Sequence, residues 1–202
     1  YSPVKRDFQK DIDALISENQ LQINDEVFEE EDFSSLPTAI QKYIQECGYI
    51  GKPKMSYLKM EYHNVDFSQG KNGPTLKIDY TQYNFINEPC RMAFRLIAIR
   101  TLSEISDFEV RATITYGGQT ASGIFTFNEQ YEMISFTTND RAATGTDGSM
   151  EYIPWSAICS DYKSSENGIK HPTKFQAVWN YPDEDFVYFD GIISEVTCGY
   201  AE

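Results

Sequence analysis

A chain of 202 residues is long enough to bury a hydrophobic core without disulfide bonds or a metal ion to hold it together. Its 17 Lys and Arg face 31 Asp and Glu, and the net charge of −14 repels phosphate backbones and anionic lipid surfaces. Nucleic acid is therefore excluded as an expected partner, and no run of Lys or Arg with interleaved aromatic residues argues otherwise.

The four cysteines, Cys47, Cys90, Cys159 and Cys198, are widely spaced and do not form a metal-binding motif with the two histidines. We expect free or buried thiols, although an even number would also permit two disulfides in an oxidising compartment. No apolar run reaches the roughly 18 residues of a membrane-spanning helix. The chain begins at Tyr1 rather than Met, so we expect any membrane attachment to come from a segment upstream of Tyr1.

The first predicted element is a helix at the N-terminus, within a helical part that covers residues 1–50. Ser2 can cap this helix, and Pro3 suits its first turn. From Val4 to Ile16 the apolar residues recur at helical spacing, so one face of the helix is apolar.

A second helix is predicted within residues 36–48, after an acidic stretch. Residues 24–33 break the helical period and are predicted to form a solvated linker. Ser34 or Ser35 leads into the second helix, and Gly48 occupies the position where a left-handed residue ends a helix.

From residue 51 to residue 202 the sequence favours strands. Short runs of β-branched and aromatic residues are separated by Gly, Pro, Asn and Asp. Most connections are too short to hold a crossover helix, which predicts antiparallel neighbours. The predicted strands are 54–67, 75–86, 90–99, 109–116, 120–127, 131–138, 152–162, 173–181 and 186–198.

These elements predict a single α+β domain over residues 1–202. Val110 and Ala112 share one face of their strand, while Arg111 and Thr113 share the other. We therefore expect one face of the sheet to be apolar and shielded from water, called here the dry face, and the other to be polar and solvated, called the wet face. The two amphipathic helices are the available cover for the dry face. We therefore predict a strongly curved antiparallel sheet of about nine strands, a half-barrel, with the N-terminal helices packed on its concave face.

Five stretches resemble, in order, the DUF6544 family of bacterial proteins of unknown function. Between Phe94 and Glu109 this chain is shorter than is typical of that family, so either a mobile insertion is missing or the chain is truly shortened. The resemblance implies no established activity and no catalytic residues. The matching stretches are 36–48 (LPTAIQKYIQECG), 81–94, 123–141, 152–181 and 186–196.

The closing strand unit has a second resemblance, at the level of the fold. A strand that ends in SDYK, a turn on ENG and the strand HPTKFQAVW look like the repeated module of LolA- and LolB-type periplasmic lipoprotein carriers. This similarity implies a half-barrel but does not dictate a function.

The candidate binding residues lie mainly in the aromatic C-terminal third. Trp155, Trp179 and Tyr188 could line a pocket for an acyl chain, or they could simply fill the core of the sheet. Arg91 and Arg141 end aromatic-rich strands, and their planar guanidinium groups suit a carboxylate or phosphate at the mouth of such a pocket. The alternative for each arginine is a salt bridge to one of the 31 acidic residues.

Catalytic and metal sites are poorly supported. The sequence has no nucleophile elbow, zinc-protease motif, phosphate loop or dinucleotide fingerprint. His171 would act as a base toward Ser160 or Cys159 only if folding brought them together. The carboxylates of the loop 137–151 lack the spacing of a calcium loop, so no metal and no cofactor are expected.

The predicted function is non-enzymatic binding of a lipid, an acylated protein tail or another apolar ligand at the cell envelope, with a cytoplasmic location left open. The alternative is an interaction module without a ligand cavity, which docks a protein partner through its wet sheet face or residues 24–33. A hydrolase is the least expected function, because no nucleophile or cofactor motif is present.

Overall fold

Antiparallel sheet is the main structure among the residues that the structure describes, as the short connections predict. The structure is a computed structural model, and it describes residues 3–20, 26–55, 57–85, 99–116, 118–144 and 148–199. The helices are α1 (Pro3–Gln20) and α2 (Thr38–Glu46), with a 3-10 turn (Glu30–Phe33) between them. The strands are β1 (Tyr57–Ser68), β2 (Thr75–Phe85), β3 (Ile99–Ser106), β4 (Glu109–Tyr116), β5 (Gln119–Phe127), β6 (Met133–Thr138), β7 (Ala142–Thr144), β8 (Met150–Tyr152), β9 (Trp155–Ser164), β10 (Lys170–Asn180) and β11 (Asp185–Gly199).

Nine strands form one sheet in the order β2-β1-β11-β10-β9-β6-β5-β4-β3. Every neighbouring pair in it is antiparallel. Strands β7 and β8 pair separately as a small hairpin. The α+β class and the antiparallel sheet are therefore confirmed.

Two strand assignments from the sequence need correction. Residues 100–106 were expected to form a connection, but they belong to β3, where Leu102 pairs with Ala112 of β4. The loop 137–151 was expected to be irregular, but it contains the β7–β8 hairpin. Strand β3 is difficult to recognise because polar residues interrupt its apolar pattern, and β7 and β8 are difficult to recognise because each has only three residues. The predicted strand 90–99 lies outside the described residues except for its last position.

The C-terminal end of α2 is the one that the sequence predicts. Gly48 has a φ of +75°. Its N–H donates to the Gln45 carbonyl at 3.0 Å, and the Tyr49 N–H donates to the Ile44 carbonyl at 3.1 Å. This pair of hydrogen bonds is the Schellman motif, which satisfies carbonyls that the last helical turn leaves unpaired.

The N-terminal end of α2 differs from the prediction. The helix begins at Thr38 after Pro37, within the predicted range 36–48, but neither Ser34 nor Ser35 caps it. Its cap comes from a distant part of the chain, since the Glu104 carboxylate of β3 accepts a hydrogen bond from the Thr38 N–H at 3.0 Å. A carboxylate at this end also favours the positive pole of the helix dipole.

The acidic stretch before α2 is anchored to the protein and is not a solvated linker in its described part, residues 26–33. Phe28 is fully buried and Phe33 is 2% exposed. Lys54, which follows this stretch in the sequence, forms salt bridges to it, with its Nζ 3.1 Å from the Asp32 carboxylate and 3.2 Å from the Glu26 carboxylate. Burial of the two phenylalanine rings offsets the cost of ordering an otherwise polar segment.

The larger apolar cluster joins α2 to the sheet. Ala39, Ile40 and Ile44 of α2 are essentially fully buried, together with Val110 and Ala112 of β4. The apolar face of β4 is thus covered by a helix, as predicted.

Helix α1 makes a lighter contact, at the β2 edge of the sheet. The Phe8 ring lies 6.4 Å from the Tyr83 ring. Ile12 is buried, but Phe8 and Leu15 remain 47% and 40% exposed. The apolar stripe of α1 is therefore only partly covered by the described residues, whereas the apolar side chains of α2 pack against the sheet.

A second apolar cluster, called here the strand cluster, is made by strands alone. Its described members come from β1, β2, β6, β9, β10 and β11, and none of them belongs to α1 or α2. Phe136 of β6 contacts both apolar clusters, so the two are continuous. The buried members of the strand cluster are Tyr62, Val65, Trp155, Ala157, Ala177, Phe189 and Ile193.

Among the described residues, no helix combines the length and the hydrophobicity that crossing a membrane requires.

Candidate functional site

Four of the five predicted binding residues meet at one end of the sheet, where β9 and β11 begin and β10 ends. Trp155 of β9 and Trp179 of β10 are direct cross-strand partners, so their side chains share a face. An irregularity in the pairing of β10 with β11, between Ala177 and Val178, places Tyr188 beside the two indoles. Such bulges commonly redirect a side chain.

Arg141 reaches this group because of the β7–β8 hairpin. Ala142 pairs with Tyr152 at the base of the hairpin. The residues that flank the hairpin, Arg141 on one side and residues 153–155 on the other, are therefore brought together. Arg141, Trp155, Trp179 and Tyr188 are called the Arg141 cluster below.

The Tyr188 hydroxyl is the shared hydrogen-bond acceptor of the cluster. Trp155 Nε1 donates to it at 3.2 Å, and Arg141 Nη2 donates to it at 3.4 Å. The Tyr188 ring stacks on Trp179 with 5.9 Å between centroids and an angle of 25°. The guanidinium carbon of Arg141 lies 4.2 Å from the Trp155 ring centroid and 5.5 Å from that of Trp179, which are cation–π distances.

Arg141 carries its charge without a carboxylate partner among the described residues. The adjacent Asp140 is engaged elsewhere, because its Oδ2 accepts hydrogen bonds from the Ser122 N–H at 2.7 Å and the Ser122 hydroxyl at 3.2 Å. Arg141 as a whole is exposed to solvent. The salt bridge that the sequence left open as an alternative does not form with Asp140.

The Arg141 cluster lies at the margin of the strand cluster. Trp155 is 8% exposed and belongs to the buried part, while Trp179 and Tyr188 are half-buried and pack against it. Phe67 of β1 adds an edge-on contact to the Tyr188 ring at 6.4 Å. Sequence reasoning missed Phe67, because no local pattern shows that β1 lies beside β11. The remaining predicted residue, Arg91, lies outside the described residues.

The residues considered for catalysis are not brought together. His171 pairs with Lys163 across the ladder, while Cys159 pairs with Phe175 further along it. His171 Nδ1 instead lies 3.0 Å from the Pro172 carbonyl oxygen. Burial raises the pKa of the Cys159 thiol to about 12, so it is protonated and a weak nucleophile at neutral pH.

The prediction of free thiols is confirmed for Cys47, Cys159 and Cys198, whereas Cys90 lies outside the described residues. Cys47 is 1% exposed, and burial raises the pKa of its thiol to about 12. The buried thiols of Cys47 and Cys159 therefore resemble small apolar side chains rather than reactive groups.

No group of three or more metal-ligating side chains is found in the part of the chain that the structure describes. In the loop 137–151, Asp140 is bound to Ser122, Glu151 is exposed on β8, and Asp147 lies outside the described residues.

A search of curated proteins and a search of solved structures each return no match. The similarity to LolA- and LolB-type carriers therefore stays a prediction. A family model described as "Family of unknown function (DUF6544)" matches residues 26–103 and 101–191. The two matched stretches meet inside the segment between Phe94 and Glu109, where the chain was expected to be shorter than its relatives. Because these stretches cover most of the sequence, the chain belongs to the DUF6544 family.

Proposed function

We propose that this protein binds a lipid, an acyl chain or another apolar ligand without converting it chemically. The strand cluster is the observation that carries this proposal. Helix α2 covers the neighbouring apolar cluster, whereas the strand cluster includes half-buried apolar side chains and no described helical residue. Aromatic side chains supply large contact areas, and Trp155, Trp179 and Tyr188 would line the site on the sheet.

A curved sheet, the half-barrel of the LolA type, is part of the proposal. The edge strands β2 and β3 follow each other in the chain, with residues 86–98 between them. A flat sheet of nine strands separates its edges by about 38 Å. The two edge strands also run in the same direction. The connection from the last residue of β2 to the first residue of β3 must therefore also cover the length of β3, about 25 Å.

The straight line from the end of β2 to the start of β3 would then be about 45 Å. The connection, residues 86–98, can span at most about 50 Å when fully extended. A flat sheet would therefore demand an almost taut connection. Curvature shortens the path between the edges, which supports a trough with the strand cluster on its inner face.

The proposed place of action is the cell envelope. The proposed partners are a lipid or an acylated protein. The similarity of the closing strands to lipoprotein carriers supports this location.

The two tryptophans make the proposal testable, because the chain has only these two and both belong to the Arg141 cluster. Titration with dodecanol should shift tryptophan emission to shorter wavelength and saturate. Trp179→Ala should weaken binding about tenfold or more, since a buried aromatic contact is lost. Phe8→Ala is the matched control, because it removes an exposed ring on α1.

Native mass spectrometry of protein purified from cells provides an independent measurement. A retained lipid mass that Trp179→Ala reduces would support the proposal. A ligand-free spectrum together with an emission spectrum that dodecanol leaves unchanged would overturn it.

A second candidate function, docking of a protein partner, is favoured by the β7–β8 hairpin. Met150 and Tyr152 on β8 are each 70% exposed, and exposed apolar pairs of this kind often mark contact surfaces. This function predicts that a Met150→Ser, Tyr152→Ser double variant loses a captured partner while dodecanol binding is kept. An unchanged set of captured proteins would argue against docking through the hairpin.

A further inference from the structure

We infer that the Arg141 cluster selects an amphipathic ligand whose polar end is a carboxylate or a phosphate. This inference rests on the proposed function and adds the chemical class of the ligand. Arg141 is the group that would bind the anion, while Trp179 and the half-buried part of the strand cluster would contact the apolar chain.

The guanidinium group of Arg141 has unused hydrogen-bonding capacity. An arginine side chain presents five N–H donors in one plane, and the described contacts use one of them, toward the Tyr188 hydroxyl. The indole rings of Trp155 and Trp179 contact the guanidinium through π interactions and leave donors at its edge. A planar edge of this kind fits the two oxygens of a carboxylate or phosphate.

The position of Arg141 is fixed before a ligand arrives. Two cation–π contacts and one hydrogen bond restrict its rotamers, so less side-chain entropy is lost when an anion binds. The neighbouring Asp140 makes no described ion pair with it, because the Asp140 carboxylate accepts hydrogen bonds from the backbone and side chain of Ser122.

Several described cations of this acidic protein lie beside a carboxylate, whereas the described contacts of Arg141 include none. With 31 Asp and Glu in the chain, cationic side chains commonly find an acidic neighbour. The described lysines with a carboxylate within 4.0 Å include Lys54, Lys59, Lys71, Lys77, Lys170 and Lys174.

A purely structural role for Arg141, as a cover for the Trp155 ring, makes a different prediction. A cover would favour no ligand charge, and its removal would change the binding of neutral and anionic ligands equally. Anion recognition requires that the effect depend on the charge of the probe.

The test compares probes with the same chain of twelve carbons and different polar ends. Dodecanoate, dodecyl phosphate, dodecanol and dodecyltrimethylammonium are titrated below their micelle concentrations, at neutral pH and about 0.15 M salt to screen the net negative charge. Tryptophan emission and isothermal titration calorimetry report the affinities. We expect the two anions to bind at least about tenfold more tightly than dodecanol, as charge-assisted hydrogen bonds allow.

Substitution of Arg141 should remove this preference without abolishing binding. Arg141→Gln should bind dodecanoate and dodecanol with equal affinity, and its dodecanol affinity should stay within about twofold of the wild type. Arg141→Lys keeps the charge but not the planar fork, so we expect a partial preference. Arg111→Gln is the matched control, since Arg111 is an exposed arginine on the polar face of β4 and its loss should change nothing.

The outcomes separate the inference from the proposed function. Equal binding of dodecanoate and dodecanol by the wild type overturns the inference and leaves the proposed function standing. Failure of every probe to bind overturns both. Inorganic phosphate that binds as tightly as dodecyl phosphate, and in an Arg141-dependent manner, shows a site for a free anion and overturns the amphipathic ligand.

Discussion

Tyr188→Phe is the most informative single substitution in the Arg141 cluster, because it removes one oxygen and keeps the ring. That oxygen accepts hydrogen bonds from Trp155 Nε1 and Arg141 Nη2. Trp155 is 8% exposed, so its N–H would be left without a partner in a largely dry environment. An unsatisfied buried donor costs about 1–3 kcal/mol, and the partial exposure of the hydrogen bond points to the lower half of this range.

The expected consequence is a measurable loss of thermal stability. For a chain of 150–250 residues each kcal/mol lowers Tm by about 2–4 °C, so a loss of about 1–2 kcal/mol corresponds to roughly 2–8 °C. Circular dichroism at increasing temperature measures Tm, and urea unfolding measures the free energy of unfolding directly. Tyr152→Phe is the matched control, because Tyr152 is 70% exposed. The Tm of this variant should stay within about 1 °C of that of the wild type.

The geometry also predicts how Tyr188→Phe combines with Arg141→Gln. Both changes break the hydrogen bond between Arg141 and Tyr188, so their free-energy effects should sum to more than the effect of the double variant. Additive effects, or a Tm for Tyr188→Phe equal to that of Tyr152→Phe, would refute the view that the hydroxyl holds the cluster together.

Three further predictions concern other parts of the fold. Gly51→Ala introduces only the cost of a left-handed alanine, about 1 kcal/mol, because its φ is +77° and nothing lies within 4 Å of the added Cβ. Gly48→Ala should lose clearly more in urea unfolding, since its Cβ would stand 2.9 Å from a backbone oxygen, and equal losses would contradict this close contact. Burial alone would raise the pKa of Glu132, but hydrogen bonds from a lysine and an asparagine hold it below the ordinary 4.5. Its stabilisation is therefore present above the unfolded-state pKa and lost as the pH falls through the lower folded-state pKa, so Glu132→Gln should reduce Tm at pH 7, and the difference from the wild type should shrink as the pH is lowered. Cys47 and Cys159 should resist alkylation by iodoacetamide at pH 8, because burial raises the pKa of both thiols to about 12. Peptide mass spectrometry measures the labelling, and labelling as fast as in the unfolded chain would contradict this prediction.

Most of the strands and their faces were predictable from the sequence, because both follow from local alternation, whereas most of β3 and the short strands β7 and β8 were missed. Trp155 and Trp179 meet because antiparallel pairing of β9 with β10 places them opposite each other. The proximity of Tyr188 and Arg141 depends on an irregularity and a small hairpin, which no periodicity reveals.

Contacts between distant parts of the chain set the remaining features, and for this reason sequence patterns did not predict them. The start of α2 is fixed by Glu104, which lies 66 positions from Thr38. The acidic stretch is ordered by Phe28 and Phe33, whose burial depends on a tertiary site rather than on neighbouring residues. Charge alone therefore gave the wrong prediction for that stretch.

The position of β11 in the sheet determines when the protein can complete its fold during synthesis. Tyr57 of β1 pairs with Gly199 of β11, and β11 also pairs with β10 on its other side. Until this strand leaves the ribosome, β1 of the β1–β2 hairpin and β10 of the remaining six strands each expose an open backbone edge. Contacts so far apart in sequence form slowly, so both edges stay unpaired until β11 has been synthesised.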